Sequence, residues 1–225
     1  MTLHLRSLLR RSLFFSLFIA LSSFSLMAST AFVGTLHGSP TVTANGKSLL
    51  VKPGVILPNN AILRTGGADS IEIYFDEATR IISLQHDSTM RIDLLTCSVT
   101  LDRGEAFVRV RKSTMAANLA TIKIRTSAGI TSVAQGDFSV NALQQEVSAL
   151  TGEANYQSLA RPNELLPIKA GQALSLDPSN APKVTAITPK ASVELLGRID
   201  RGINVSDPVI QAAMSGGKLP PPISP

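Results

Sequence analysis

Acids and a histidine crowd into one stretch, DSIEIYFDEATRIISLQHDSTMRI, running from Asp69 to Ile92. Asp76 and Glu77 are adjacent, and His86-Asp87 follow further along. General acid/base catalysis is the chemistry these residue types would serve, but it needs geometry before it needs a tuned pKa. A glycosidase-type pair, for instance, sets two carboxylates at a defined separation across a cleft. Neighbours in a strand point to opposite sides, and neighbours in a turn reach solvent. Asp76 and Glu77 therefore read as a charged turn, and His86-Asp87-Ser88 as a second turn. No catalytic residue is assigned.

Other chemistries find less support. Beyond the leader the histidines are His37 and His86, without His-x-His or His-x-x-x-His spacing, and no acidic run follows an EF-hand pattern. No metal or cofactor is expected. A Gly-x-Ser-x-Gly elbow is missing, and GTLHG and TGGAD lack the strand–helix context of a phosphate loop. The single cysteine, Cys97 in TCSVTL, shares a strand face with Val99 and Leu101 and reads as a small buried residue. There is no Trp, and the two tyrosines are Tyr74 and Tyr156, too few for a stacking platform.

The elements that carry these residues alternate with period two. TVTA (41–44), SIEIYF (70–75), RIISL (80–84), MRIDLL (90–95), SVTLD (98–102), AFVRVR (106–111), TIKIRT (121–126), DFSV (137–140) and EVSAL (146–150) read as strands. HGSP, ANGK, KPG, TGGAD, DRG and KAG read as turns between them. The fold class is all-β, a sandwich or coil of short antiparallel-type strands with a partly helical, Pro-rich C-terminal tail. Ile71, Ile73 and Phe75 share one face, opposite Glu72, Tyr74 and Asp76. The expected core is Ile71, Ile73, Phe75, Ile82, Leu84, Ile92, Cys97, Val99, Leu101, Val108, Val110, Ile122, Ile124, Phe138 and Val140. Arg109, Arg111 and Lys112 read as a solvated face. LLVKPGVIL (49–57) resembles LLPIKAGQAL (165–174), each a strand, a Lys-x-Gly turn and a strand.

The chain opens with a basic head (Arg6, Arg10, Arg11), an apolar run from Ser12 to Met27, and small residues at Ala28, Ser29 and Ala31. That order is a secretory signal peptide over residues 1–28, with an uncleaved anchor as the alternative. The apolar run falls short of the roughly 20 residues a spanning helix prefers. Cleavage removes three arginines and no acid, taking the formal net charge from +5 to +2. A balance so near neutral argues against nucleic-acid binding. A β-domain is expected over 32–176. Residues 177–225 follow as a tail in which DPSNAPKVTAITPK is an extended, solvated linker. ASVELLGRID (191–200) is the weaker helical candidate, and SDPVIQAAMSGG, with Asp207 as cap and Pro208 in the first turn, is the stronger. KLPPPISP favours polyproline II.

Three phrases resemble the FecR-type domain of exported bacterial proteins. PGVILPNNAILRTGGADSIEIYFDEATRIISLQHDSTMRI is similar to the family's first phrase, and LDRGEAFVRV with TIKIRTSAGITSVAQGDFSV to its second. VSALTGEANYQSLARPNELLPIKAGQALSL is similar to its third. The resemblance covers roughly Phe32 to Leu176. Where the family keeps a DGS turn this chain has FDEAT, with Glu77 in the glycine position, and the family's GT is Gly136-Asp137 here. A turn without glycine is expected to be a wider type I turn. Residues 1–11 precede the apolar run, too few for the family's cytoplasmic anti-sigma segment, and its receptor-touching C-terminal domain has no counterpart. The resemblance implies a periplasmic, non-enzymatic module that recognises an envelope protein partner. Asp76, Glu77, Thr79 and Arg80 in the exposed turn are the candidate binding residues. A glycan- or cell-wall-sensing structural protein, or an envelope hydrolase using Asp76, Glu77, His86 and Asp87, are the alternatives. Neither oligomeric state nor partner identity is specified by the sequence.

Overall fold

The computed structural model describes residues 29–76, 79–111, 121–177 and 181–202, with side chains to Ile199. Residues 1–28, Glu77, Lys112, SDPVIQAAMSGG and KLPPPISP lie outside the described residues. Strands dominate, in the order β1 (Ala31–His37), β2 (Thr41–Ala44), β3 (Lys47–Leu49), β4 (Ile62–Arg64), β5 (Ser70–Phe75), β6 (Arg80–Leu84), β7 (Thr89–Asp93) and β8 (Ser98–Arg103). Then come β9 (Glu105–Val110), β10 (Ile122–Arg125), β11 (Gly129–Asn141), β12 (Glu146–Ala149), β13 (Glu153–Ser158), β14 (Leu165–Lys169), β15 (Gln172–Leu176) and β16 (Pro182–Ala186). One helix, α1 (Pro189–Gly202), follows among the described residues. No helix among them is long and apolar enough to cross a membrane.

The strands form a single curled sheet that doubles over into two facing layers. Layer A runs β1-β5-β6-β9-β11-β12-β15-β16, and layer B runs β3-β2-β4-β7-β8-β10-β11-β13-β14. β11 belongs to both. Its first half pairs with β10 and β13, and its second half pairs with β9 and β12. The strand turns the corner at Gly136, whose φ is +126°. A Cβ there would lie 2.1 Å from the Thr151 carbonyl oxygen, so only glycine fits. Pairing is antiparallel throughout except between β8 and β10.

The interlayer core is built from the inward side of each alternating strand. Ile73, Phe75, Ile82 and Val108 of layer A meet Leu63, Ile92, Leu101 and Ile122 of layer B in one apolar cluster. Every residue expected in the core is buried.

The other face of layer A differs from expectation. Glu72, Tyr74 and Arg109 are buried, not solvated. Arg109 faces Asp137 in register across β9 and β11, and its Nε donates to the carboxylate at 2.6 Å. Tyr74 stacks on Phe32 and donates its hydroxyl to Glu72 at 2.6 Å. A half-exposed Arg111 keeps the solvated character expected of that run.

One further correction concerns the C-terminal part. Residues 182–186, read as linker, form β16 and pair with β15 along its whole length. Pro182 is tolerated because it opens an edge strand, where a missing N–H costs little. The weaker helical candidate is α1. Its start is set by Thr188, whose Oγ1 accepts the Ala191 N–H at 3.3 Å, and by Pro189 in the first helical position.

Candidate interaction surface

The charged stretch divides between two ends of the molecule. Phe75 pairs with Arg80, so residues 76–79 are the loop of the β5–β6 hairpin. The Thr79 N–H donates to the Asp76 carbonyl at 3.3 Å, closing the turn. Asp76 itself takes a positive φ (+44°), which aspartate tolerates. The Asp76 side chain accepts the Thr30 N–H at 3.1 Å and pairs with the Arg80 guanidinium. His86 and Asp87 occupy the exposed turn after β6, at that strand's other end. Five residues of β6 hold the two groups about 15 Å apart. The structure does not bring them together.

Arg80 is not at the surface. It is only 2% exposed and lies on the inward side of β6, in line with Ile82 and Leu84. There it closes one end of the interlayer core. Its Nη1 lies 2.6 Å from the Sγ of Cys97, which sits in the β7–β8 turn of the opposite layer, and its Nε has no partner among the described residues. Burial pulls the guanidinium below its ordinary pKa, and the adjacent Cys97 sulfur acts against that. The binding turn expected at Asp76, Thr79 and Arg80 is thus largely a packing device. Thr79 is half-buried and the Asp76 side chain is 13% exposed. A charged residue at a core-facing strand position with an acid four residues earlier was the available sequence signal.

A second clamp holds the loop before β5. Asp69 accepts N–H bonds from Ser39 at 2.9 Å and Gly66 at 2.8 Å. These two donors keep its carboxyl below the usual carboxylate range.

Layer A presents its open side differently. In register, Ser83, Phe107, Ser139, Ser148, Ala173 and Thr185 cross six strands from β6 to β16. The neighbouring row is Glu105, Asn141, Glu146, Ser175 and Lys183. A groove of about 440 Å³ runs over Glu105, Ser139, Asn141, Glu146, Ser148, Ala173 and Thr185 of these rows, with Ala191, Glu194, Leu195 and Arg198 of α1 as its other wall. Glu105 accepts the Ser139 hydroxyl at 2.8 Å and pairs with Arg198, and Glu146 accepts the Ser148 hydroxyl at 2.8 Å. Three glutamates against one arginine leave the groove acidic.

The groove opens at β16. Among the described residues, β16 pairs only with β15, and Lys183 to Ala186 are exposed. The opposite edge of the layer is closed: β1 exchanges hydrogen bonds with Gly54, Val55 and Leu57 at 2.7–2.9 Å. Sequence reasoning missed this surface because it placed β16 in a linker.

No protein-family model matches the chain, and no curated protein matches it. Among solved structures it is similar to two crystal structures of a "putative anti-sigma factor" from Parabacteroides distasonis. Identity is 17% and 16%, with a TM-score of 0.49 for each. The alignments cover 60% of this chain and 63% and 64% of those chains, so this chain spans less than two thirds of that protein.

Proposed function

We propose that this chain is an exported, non-enzymatic, FecR-like module of the bacterial cell envelope that recognises a protein partner. The observation that carries the reading is the outer face of layer A, an open acidic groove running out to β16, whose outer side has no partner strand among the described residues. A wide, open trough suits a polypeptide better than an enclosed small molecule. The free side of an edge strand also offers main-chain donors and acceptors to another chain. The leader-like N-terminus and the FecR-type phrases supply the export and family parts of the reading. The charged turn contributes little to it, since Arg80 is consumed internally.

A photo-crosslinking residue at Thr185, introduced into the full chain in producing cells, should trap one discrete envelope protein. The same residue at exposed Leu50, by β3, should not. Uncrosslinked monomer from both positions would refute the reading. If β16 traps nothing while cell-wall fragments raise the melting temperature specifically, the hydroxyl-lined groove binds sugar instead.

A further inference from the structure

The outer face of layer A has an apolar end. Phe32, Tyr74, Ile81, Phe107 and Leu150 form a cluster separate from the interlayer core, and α1 lies across it. Few of the helix's described side chains hold it down. Ile199 is its one fully buried described side chain, Leu195 is half-buried, and Arg198 stands 5.1 Å from the Phe107 ring while pairing with Glu105. Val193 and Leu196 point away, 73% and 39% exposed. Two residues, Ile187 and Thr188, tether the helix to the edge strand β16. Fourteen residues make a marginal helix in water, so α1 forms only while it is docked.

We propose that α1 is a detachable cover over this aromatic surface, and that the partner displaces it with an amphipathic helix of the same chemistry. That helix would present two apolar side chains at i and i+4 and an arginine at i+3, as Leu195, Ile199 and Arg198 do now. The present occupant is the argument for the future one. The floor is built mostly on paired strands, with Tyr74 on β5, Ile81 on β6 and Phe107 on β9 in the interior of layer A and Phe32 on its far edge strand. Glu105 is already held by Ser139, and so is oriented for a cation. The groove beside α1 gives an incoming helix a foothold before α1 leaves. The identity of the displacing occupant rests on the partner-recognition reading; the detachability of α1 does not.

Hydrogen exchange on the full chain tests detachment. Amides of α1 should exchange at least about 100-fold faster than those of β9 and β11, because local opening precedes global unfolding. The probe for the surface is a labelled peptide of residues 189–202, titrated by fluorescence anisotropy against wild type and Ile199→Glu. Arg198→Glu serves as a gentler releasing variant, and far-UV circular dichroism and melting verify that the sheet is intact. Released chains should bind the peptide at least about tenfold more tightly than wild type, whose surface is occupied. A peptide carrying Arg198→Glu should lose that gain and regain it on a released chain carrying Glu105→Arg.

Protection of α1 equal to that of β11 would overturn the proposal. So would a folded, released chain that binds no peptide, or peptide binding equal to that of wild type. Crosslinking at Thr185 separates the two readings. Partner capture that is unchanged by Ile199→Glu defeats the cover and leaves partner recognition standing. No capture, with the peptide behaving as expected, defeats the partner and keeps the cover.

Discussion

Asp76 and Arg80 offer the sharpest test of how the sandwich end is held. Arg80 is almost wholly withdrawn from water, and its guanidinium faces Asp76, Cys97 and little else. Asp76→Ala strands a buried cation that cannot readily lose its proton, and also removes the acceptor for the Thr30 N–H. Breaking a buried pair from one side costs about 3–5 kcal/mol. For a chain of this size that is a fall of about 6–20 °C in melting temperature. Arg80→Met is milder at about 1–3 kcal/mol, because Asp76 keeps its N–H bond and some contact with water. The double variant Asp76→Asn with Arg80→Met removes both charges and keeps an acceptor for Thr30. It should lie within about 1–2 kcal/mol of wild type, since an isosteric apolar replacement of a buried pair is often close to neutral. Urea unfolding of wild type, Asp76→Asn, Arg80→Met and the double variant closes the cycle, with an expected coupling of about 2 kcal/mol or more. Additive losses, or a cost below about 1 kcal/mol for Asp76→Ala, would refute the account of Arg80 as a paired plug.

Gly136→Ala should cost about 2–4 kcal/mol in denaturant unfolding, because the added methyl meets the Thr151 carbonyl at a backbone angle side chains avoid. Asp69 should give the molecule part of its acid sensitivity. Its carboxyl is held below the ordinary 3.8, so its contribution is complete above that pH and is lost as pH falls through the depressed value. Asp69→Asn should flatten the decline in stability below about pH 4 in acid-dependent melts. Thr188→Ala removes the cap of α1 and should speed hydrogen exchange in the helix, by about 1 kcal/mol of local stability, while leaving the global melting temperature unchanged.

The strands and the core were legible because alternation states which residues share a face. Ile71, Ile73 and Phe75, or Val108 and Val110, needed nothing more to be placed inside. Alternation does not state what covers the reverse face. Glu72, Tyr74 and Arg109 therefore read as outward, although Phe32, Asp137 and α1 close over that side. Arg80 failed for the opposite reason. It obeys the period of β6 and points inward, but charge overrode pattern in the reading of its turn. β16 was hidden by composition, since Pro-punctuated sequence resembles a linker until a neighbouring strand pairs with it. The groove was illegible for the same reason, as its outermost wall is that strand.

β11 has a mechanical meaning beyond its place in the core. It is an interior strand of both layers at once, stitched by hydrogen bonds on both sides along most of its length. The layers therefore cannot shear past one another without tearing that strand from its neighbours. Load applied at the β16 edge travels through β15 and β12 into β11, and so reaches the far layer directly. Tension from a bound partner would be shared by the whole sandwich, and α1, tethered by two residues at that same edge, would be the first part to yield.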